Sequence, residues 1–220
     1  PGGTVWSVEE IRALAQFCVD RDLILVSDEI HCDLVFEGAK PTPTIVAAPE
    51  VKDRLITCVA ATKTFKLAGA PVGACVTSNP DFKARLDQRI AAASLASYNA
   101  FGMIATEAAW RTGEAWLDEL LPDLQANRDL LHQGICEAVP GARAMPLDAT
   151  YLAWLDFNGT GLAADDVAAR MTERARIFAS PGPQFGPGGE NRLRFNFATP
   201  RSRINEAIER IGDAFADVRT

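Results

Sequence analysis

Apolar residues recur at helical spacing at Ile11, Leu14, Ala15, Cys18 and Val19. Ser7, with Glu10 three residues later, supplies a capping box that opens this helix, and Asp20-Arg21-Asp22 ends it. Three short runs then read as strands that are apolar on both faces: Leu23 to Val26, Leu55 to Ala61 and Val72 to Thr77. Such strands between helices predict a parallel sheet covered on both sides, the α/β pattern. Asn79 followed by Pro80 starts another helix with proline in its first turn. A mostly helical stretch from Asp81 to Ala138 follows, broken near Asn99 to Gly102 and again at Gly113.

Pro140-Gly141 marks a boundary. Beyond it the pattern predicts a strand at Tyr151 to Leu155, a helix from Ala163 to Arg174, a strand at Ile177 to Ser180 and a turn-rich segment from Pro181 to Gly189. Leu193 to Phe197 alternates as a strand, and Thr199-Pro200 is expected to cap a last helix through Ile204, Ile208, Ile211 and Phe215. Residues 1–138 are thus part of an α/β domain with its long connecting helices. Residues 139–220 form a smaller C-terminal α+β domain.

Composition narrows the function classes. With 22 Lys+Arg against 29 Asp+Glu the net charge is −7, and no basic cluster offers a nucleic-acid face. A hydrophobic fraction of 48% belongs to a folded globular chain rather than a disordered one. The uncharged run from Ile90 to Thr106 is interrupted by Ser94, Ser97, Asn99 and Gly102, too short and too polar for a membrane span, and reads as a buried helical segment. The five cysteines are scattered and without paired spacing, and the three that lie in apolar strand-like or helical runs suggest reduced core residues in a cytoplasmic protein. Two histidines, His31 and His132, with no Cys/His cluster, leave no expected metal site.

Three segments carry possible chemistry. Ser27-Asp28-Glu29-Ile30-His31-Cys32-Asp33 follows an apolar strand, at the carboxyl edge where open α/β sheets bind ligands. Taken alone, its acidic pair reads equally well as a solvated strand end, and a lone histidine is more often structural. Thr62-Lys63-Thr64-Phe65-Lys66 follows a second strand. A lysine there is usually a surface charge, and becomes a nucleophile only where the site desolvates it. Spacing does not separate Lys63 from Lys66. In Asn191-Arg192-Leu193-Arg194-Phe195-Asn196 the two arginines share one strand face. Either could clamp a carboxylate bidentately, or sit in an ordinary salt bridge.

SDEIHCDLVF, TKTFKLAG and RLRFNFATPR, in this order, resemble the fold-type I pyridoxal-phosphate enzymes of the aminotransferase class I/II superfamily. More narrowly they resemble its cystathionine β-lyase-like branch, the cysteine-S-conjugate β-lyases, and PGGTVWS and TYLAWLDF fit the same group. The resemblance implies part of a three-layer α/β/α large domain with a mostly parallel sheet, joined to the small C-terminal domain. It also implies pyridoxal 5′-phosphate as cofactor and an amino-acid substrate. Carried over, Lys63 would bind the cofactor covalently and act as base. Asp28 would pair with its pyridinium nitrogen, His31 would meet its phenolic oxygen, and Arg194 would hold the substrate α-carboxylate.

The implied reaction is β-elimination from cystathionine or S-substituted cysteines to pyruvate, ammonia and a thiol. An aminotransferase is the alternative, and an aminotransferase-like regulatory protein is the third reading. The family's usual Asn is replaced by Lys66, its frequent phosphate-binding Ser by Ala60 and its frequent phosphate-binding Arg by Pro71. Phosphate anchoring is therefore expected from elsewhere. Family members are nearly twice as long and usually homodimeric, so the chain is expected to lack an N-terminal half, to be inactive alone and to work as a homodimer. Neither nucleic acid nor membrane is an expected partner.

Overall fold

The computed structural model describes residues 2–95 and 97–219. Pro1, at the head of the opening phrase, and Ala96, inside the run 90–106, lie outside the described residues, as does Thr220. The expected capping box opens helix α1 (Val8–Asp20): the Ser7 side chain accepts the Glu10 N–H at 3.2 Å, and the Glu10 carboxylate accepts the Ser7 N–H at 2.8 Å. The helix ends with Asp22 in the left-handed region (φ 52). There the Leu23 N–H reaches back to the Cys18 carbonyl and the Asp22 N–H to Val19. That turn consumes Leu23, so strand β1 (Leu25–Asp28) begins two residues later than the apolar run predicts.

Helix α2 (Thr44–Ala47) and a 3₁₀ turn (Pro49–Arg54) carry no sequence signal read above. They cover, with α1, one face of the sheet: Ala15, Cys18, Leu25, Ala48, Val51 and Leu55 form one buried cluster. Strand β2 (Leu55–Val59) pairs parallel with β1, from Leu25 opposite Leu55 to Asp28 opposite Cys58. Strand β3 (Ala74–Val76) pairs antiparallel with β2, against the expected parallel run. Residues 60–73 contain no helix, and without a helical crossover the chain turns back beside the strand it has just left. On the face opposite α1, Val26 is 58% exposed, so within this unit the expected cover on both sides is present on one.

Asn79 caps helix α3 (Pro80–Ala92) by accepting the N–H groups of Asp81 and Phe82, and Asn99 caps α4 (Ala100–Thr112) at Gly102. Both caps fall where the pattern breaks. The run 90–106 is not the buried helical segment expected: α3 stops at Ala92, and Phe101 and Ile104 on α4 are largely exposed. Helix α5 (Glu114–Ala138) follows. Among the described residues no helix is long and apolar enough to cross a membrane.

The chain divides into two compact units, Val5–Glu119 and Pro1–Thr4 with Leu120–Thr220. In the second, β4 (Arg143–Ala144), β5 (Leu152–Asp156), β6 (Ser180–Pro181) and β7 (Arg192–Asn196) form an antiparallel sheet in the order β4-β5-β7-β6. Helix α6 (Ala164–Ala169) runs on through a π turn (Arg170–Arg174), and α7 (Arg201–Ala214) closes the unit. Ala153 and Leu155 on β5 and Leu193 and Phe195 on β7 are buried, the alternation that an antiparallel sheet covered on one face produces. Two local expectations fail here. The strand at 177–180 shrinks to Ser180–Pro181. Thr199 does not cap α7, whose N-cap is Pro200 with no side-chain bond. Three of the five cysteines lie in apolar runs expected in the core, yet only Cys18 is buried.

Candidate active site

Asp28 is the last residue of β1 and its Oδ1 accepts the Ile30 N–H at 3.3 Å. Among the described residues no cation lies within ion-pair distance of this carboxylate. Glu29 beside it is committed. Its Oε1 accepts the Thr44 N–H at 2.9 Å and the Ser27 hydroxyl at 2.9 Å, and its own N–H donates to the Cys58 carbonyl at 2.9 Å. The acidic pair therefore divides: Glu29 ties β1 to the start of α2, and Asp28 makes no ion pair among the described residues. His31 stands half-buried in the following turn, where its carbonyl accepts the Leu34 N–H at 3.0 Å. Burial, then the charge of Asp33, push the neighbouring Cys32 thiol up to about 11, which removes it as a nucleophile near neutrality.

Lys63 lies in the turn after β2, held by bonds from the Phe65 N–H to Ala61 and from the Leu67 N–H to Thr62. Buried Thr64 donates to Asp33 Oδ2 at 2.9 Å, which pins this turn to the loop after β1. The Phe65 ring packs on Trp116 at 5.6 Å and occupies the space a Cβ on Gly113 would need, 2.3 Å from Phe65 Cε1. Lys63 is half-buried, and among the described residues no carboxylate lies within ion-pair distance of its amine. Lys66 is exposed and sits at φ 56.

That left-handed conformation suits Asn, the residue the family resemblance implies there, and strains a lysine. Lys66→Asn is expected to raise stability by about 0.5–1 kcal/mol. The check is a higher urea midpoint at unchanged slope; a lower midpoint contradicts it.

In the second unit the two arginines separate cleanly. Arg192 is opposite Asp156 across β5 and β7, and its Nε and Nη2 both lie 3.0 Å from Asp156 Oδ2. Burial pushes the Asp156 carboxyl up, but Asn158 and Arg192 together hold it below the usual range. Arg194, opposite Trp154, has no carboxylate within ion-pair distance among the described residues. Its guanidinium lies 4.6 Å from the centre of the Phe185 ring, and Phe185 in turn meets Trp154 edge to face at 5.5 Å.

Beside this stack is an open cavity of about 160 Å³, lined by Gly2, Trp154, Phe185 and the glycine-rich segment 182–189. The segment folds back so tightly that a Cβ on Gly182 would stand 2.0 Å from the Gly189 carbonyl. The Arg194 guanidinium is thus placed over an aromatic ring, with no carboxylate partner among the described residues. Among the described residues no group of acidic, His and Cys side chains is arranged to hold a metal ion.

The sequence profile of the family described as aminotransferase class I and II matches residues 1–211. Cystathionine beta-lyase PatB of Bacillus subtilis is 33% identical over 216 residues, which cover 98% of this chain and 56% of that protein. A cystathionine beta-lyase of Corynebacterium glutamicum is 33% identical over 215 residues, covering 96% of this chain and 56% of the relative. The crystal structure of cystalysin from Treponema denticola, which contains a pyridoxal 5′-phosphate cofactor, superposes with a TM-score of 0.93 at 31% identity, covering 98% of this chain and 55% of that one. The chain spans about half the length of the curated relatives it matches.

Proposed function

The chain belongs to the aminotransferase class I and II family, and from that premise we propose that it is part of a pyridoxal-phosphate-dependent C–S β-lyase. Its substrates are cystathionine or S-substituted cysteines, and its products are pyruvate, ammonia and a thiol. One observation carries this reading. A carboxylate, Asp28, and an amine, Lys63, follow adjacent parallel strands at their carboxyl ends, and neither is spent in an ion pair among the described residues. The donor set fits the cofactor's ring and aldehyde: an acid for a pyridinium, an amine for a carbonyl. Ala60 and Pro71 bring no side-chain donor for its phosphate, so those contacts come from other residues. The choice of lyase is supported by the relatives described as cystathionine beta-lyases.

Bound pyridoxal phosphate supplies an electrophilic carbonyl for the substrate amine and a protonated ring that accepts electrons from Cα. Asp28, at the sheet edge, would pair with the ring nitrogen and favour its protonated form. Lys63 is the residue that would hold the cofactor through its Nζ, and the same amine would serve as the base for the substrate Cα proton. His31 would donate to or accept from the phenolic oxygen. Arg194, backed by Phe185, holds the α-carboxylate and so fixes which bond at Cα reacts. The reading includes a homodimer and a cytoplasmic location; the five unpaired thiols fit a reducing compartment.

A second reading, an aminotransferase, is favoured by the family itself and uses the same four residues. The assay is cystathionine turnover by the protein as expressed from its gene, loaded with cofactor. Release of pyruvate and free thiol without a keto acid is expected. Turnover that requires a keto acid and releases no thiol overturns the lyase in favour of the aminotransferase, and cofactor binding without any turnover favours a regulatory protein.

Arg194 gives a separate test. A charge-assisted bidentate contact contributes about 1.5–3 kcal/mol, so Arg194→Ala is expected to lower kcat/KM about 10- to 150-fold, mostly through KM. Arg192→Ala, which breaks the Asp156 pair, is expected to lower stability and leave KM near its original value. An unchanged KM in Arg194→Ala refutes the clamp.

A further inference from the structure

Cys58 on β2 and Cys75 on β3 are direct cross-strand partners, and their sulfurs lie 3.9 Å apart. We infer that these two thiols form a modification site, a dithiol that closes reversibly to a disulfide by exchange with a small-molecule disulfide such as oxidised glutathione. Directly opposed residues of antiparallel strands have Cα atoms about 4.5 or 5.5 Å apart, and both values lie inside the roughly 4.4–6.8 Å that disulfides span. Side-chain rotation therefore closes the gap without moving either strand. Both thiols sit on the sheet face opposite α1, in one cross-strand row with Asp28, which faces Cys58 from β1.

The two sulfurs are not equivalent. Cys75 is exposed and Cys58 half-buried. Burial, then the proximity of Cys75 and of the Asp28 carboxylate, push the Cys58 thiol up, so less of it is thiolate near neutrality. Cys75 is the entry thiol. Its thiolate attacks the small disulfide and expels one thiol, forming a mixed disulfide. The Cys58 thiolate then attacks Cys75 Sγ and expels the second thiol. The protein loses two hydrogens and the small disulfide gains them; two equivalents of a small thiol reverse the exchange. The remaining cysteines differ in kind. Cys18 is buried under α1, and among the described residues Cys32 and Cys136 have no sulfur neighbour. The dithiol needs neither bound cofactor nor substrate.

The test is a non-reducing tryptic map of the protein as expressed from its gene, reduced, desalted and then incubated with oxidised glutathione at mildly alkaline pH. The expected product joins the peptide Leu55–Lys63 to the peptide Leu67–Lys83, with the intact mass lower by two hydrogens and two fewer titratable thiols. In Cys58→Ser the joined peptide disappears and Cys75 keeps its glutathione. In Cys75→Ser, Cys58 stays unmodified. The inference is overturned if wild-type Cys75 retains glutathione as a lasting adduct, if Cys58 or Cys75 joins a different cysteine, or if neither reacts.

Discussion

Lys63→Ala is expected to abolish both turnover and the visible absorbance of bound cofactor, whereas Lys66→Ala is expected to keep both. The two lysines are three residues apart, yet the fold treats them differently. Lys63 is half-buried in a turn whose backbone is closed by the Phe65 and Leu67 N–H groups, and whose next side chain, Thr64, is bonded to Asp33. A turn closed in this way fixes the backbone that carries the amine, and covalent capture of a carbonyl and proton removal from Cα both require such placement. Lys66 is exposed and left-handed, on the far side of the same turn. Losing one group that serves as both anchor and base costs on the order of 10⁴-fold or more in kcat. Full retention of absorbance in Lys63→Ala, with loss in Lys66→Ala, reverses the assignment.

Asp28→Ala is the second large effect. Removing a preorganised charge aimed at a developing one costs on the order of 10²–10³-fold in kcat, and cofactor affinity falls with it. Glu29→Ala serves as the contrast. The Glu29 carboxylate receives the buried Thr44 N–H and the Ser27 hydroxyl, so its loss leaves a buried donor unsatisfied. That costs about 1–3 kcal/mol of stability and little in kcat of the folded fraction. Steady-state kinetics with urea unfolding of both variants checks the pair. A Glu29→Ala enzyme that stays stable but loses turnover, beside an Asp28→Ala enzyme with normal kcat, contradicts the division of roles.

The helix starts were legible because their signals are local. Ser7 with Glu10, Asn79 with Pro80, and the break at Asn99 each satisfy N–H groups within three residues of themselves. Thr199 carries the same chemistry two residues before α7 and is unused, since Pro200 takes the N-cap position. Strand direction was not legible: an apolar triplet such as Ala74–Val76 reads alike either way, and only the non-helical return through 60–73 makes β3 antiparallel.

The site divides along the same line. Two of the three segments stood out by their placement after strands and the third by its alternation along one, but the choice within each rests on partners far away in the chain. Glu29 is claimed by Thr44, Arg192 by Asp156, and the turn holding Lys63 by Asp33. No local pattern of residue types contains those pairings.

The central claim is that the cofactor is held by Lys63. Borohydride treatment of the pyridoxal-phosphate-loaded protein fixes the lysine–cofactor bond, and peptide mass spectrometry then reads the position. The account predicts the pyridoxyl group on Lys63, with trypsin failing to cleave there. The group on Lys66 or another lysine, or on none, contradicts it.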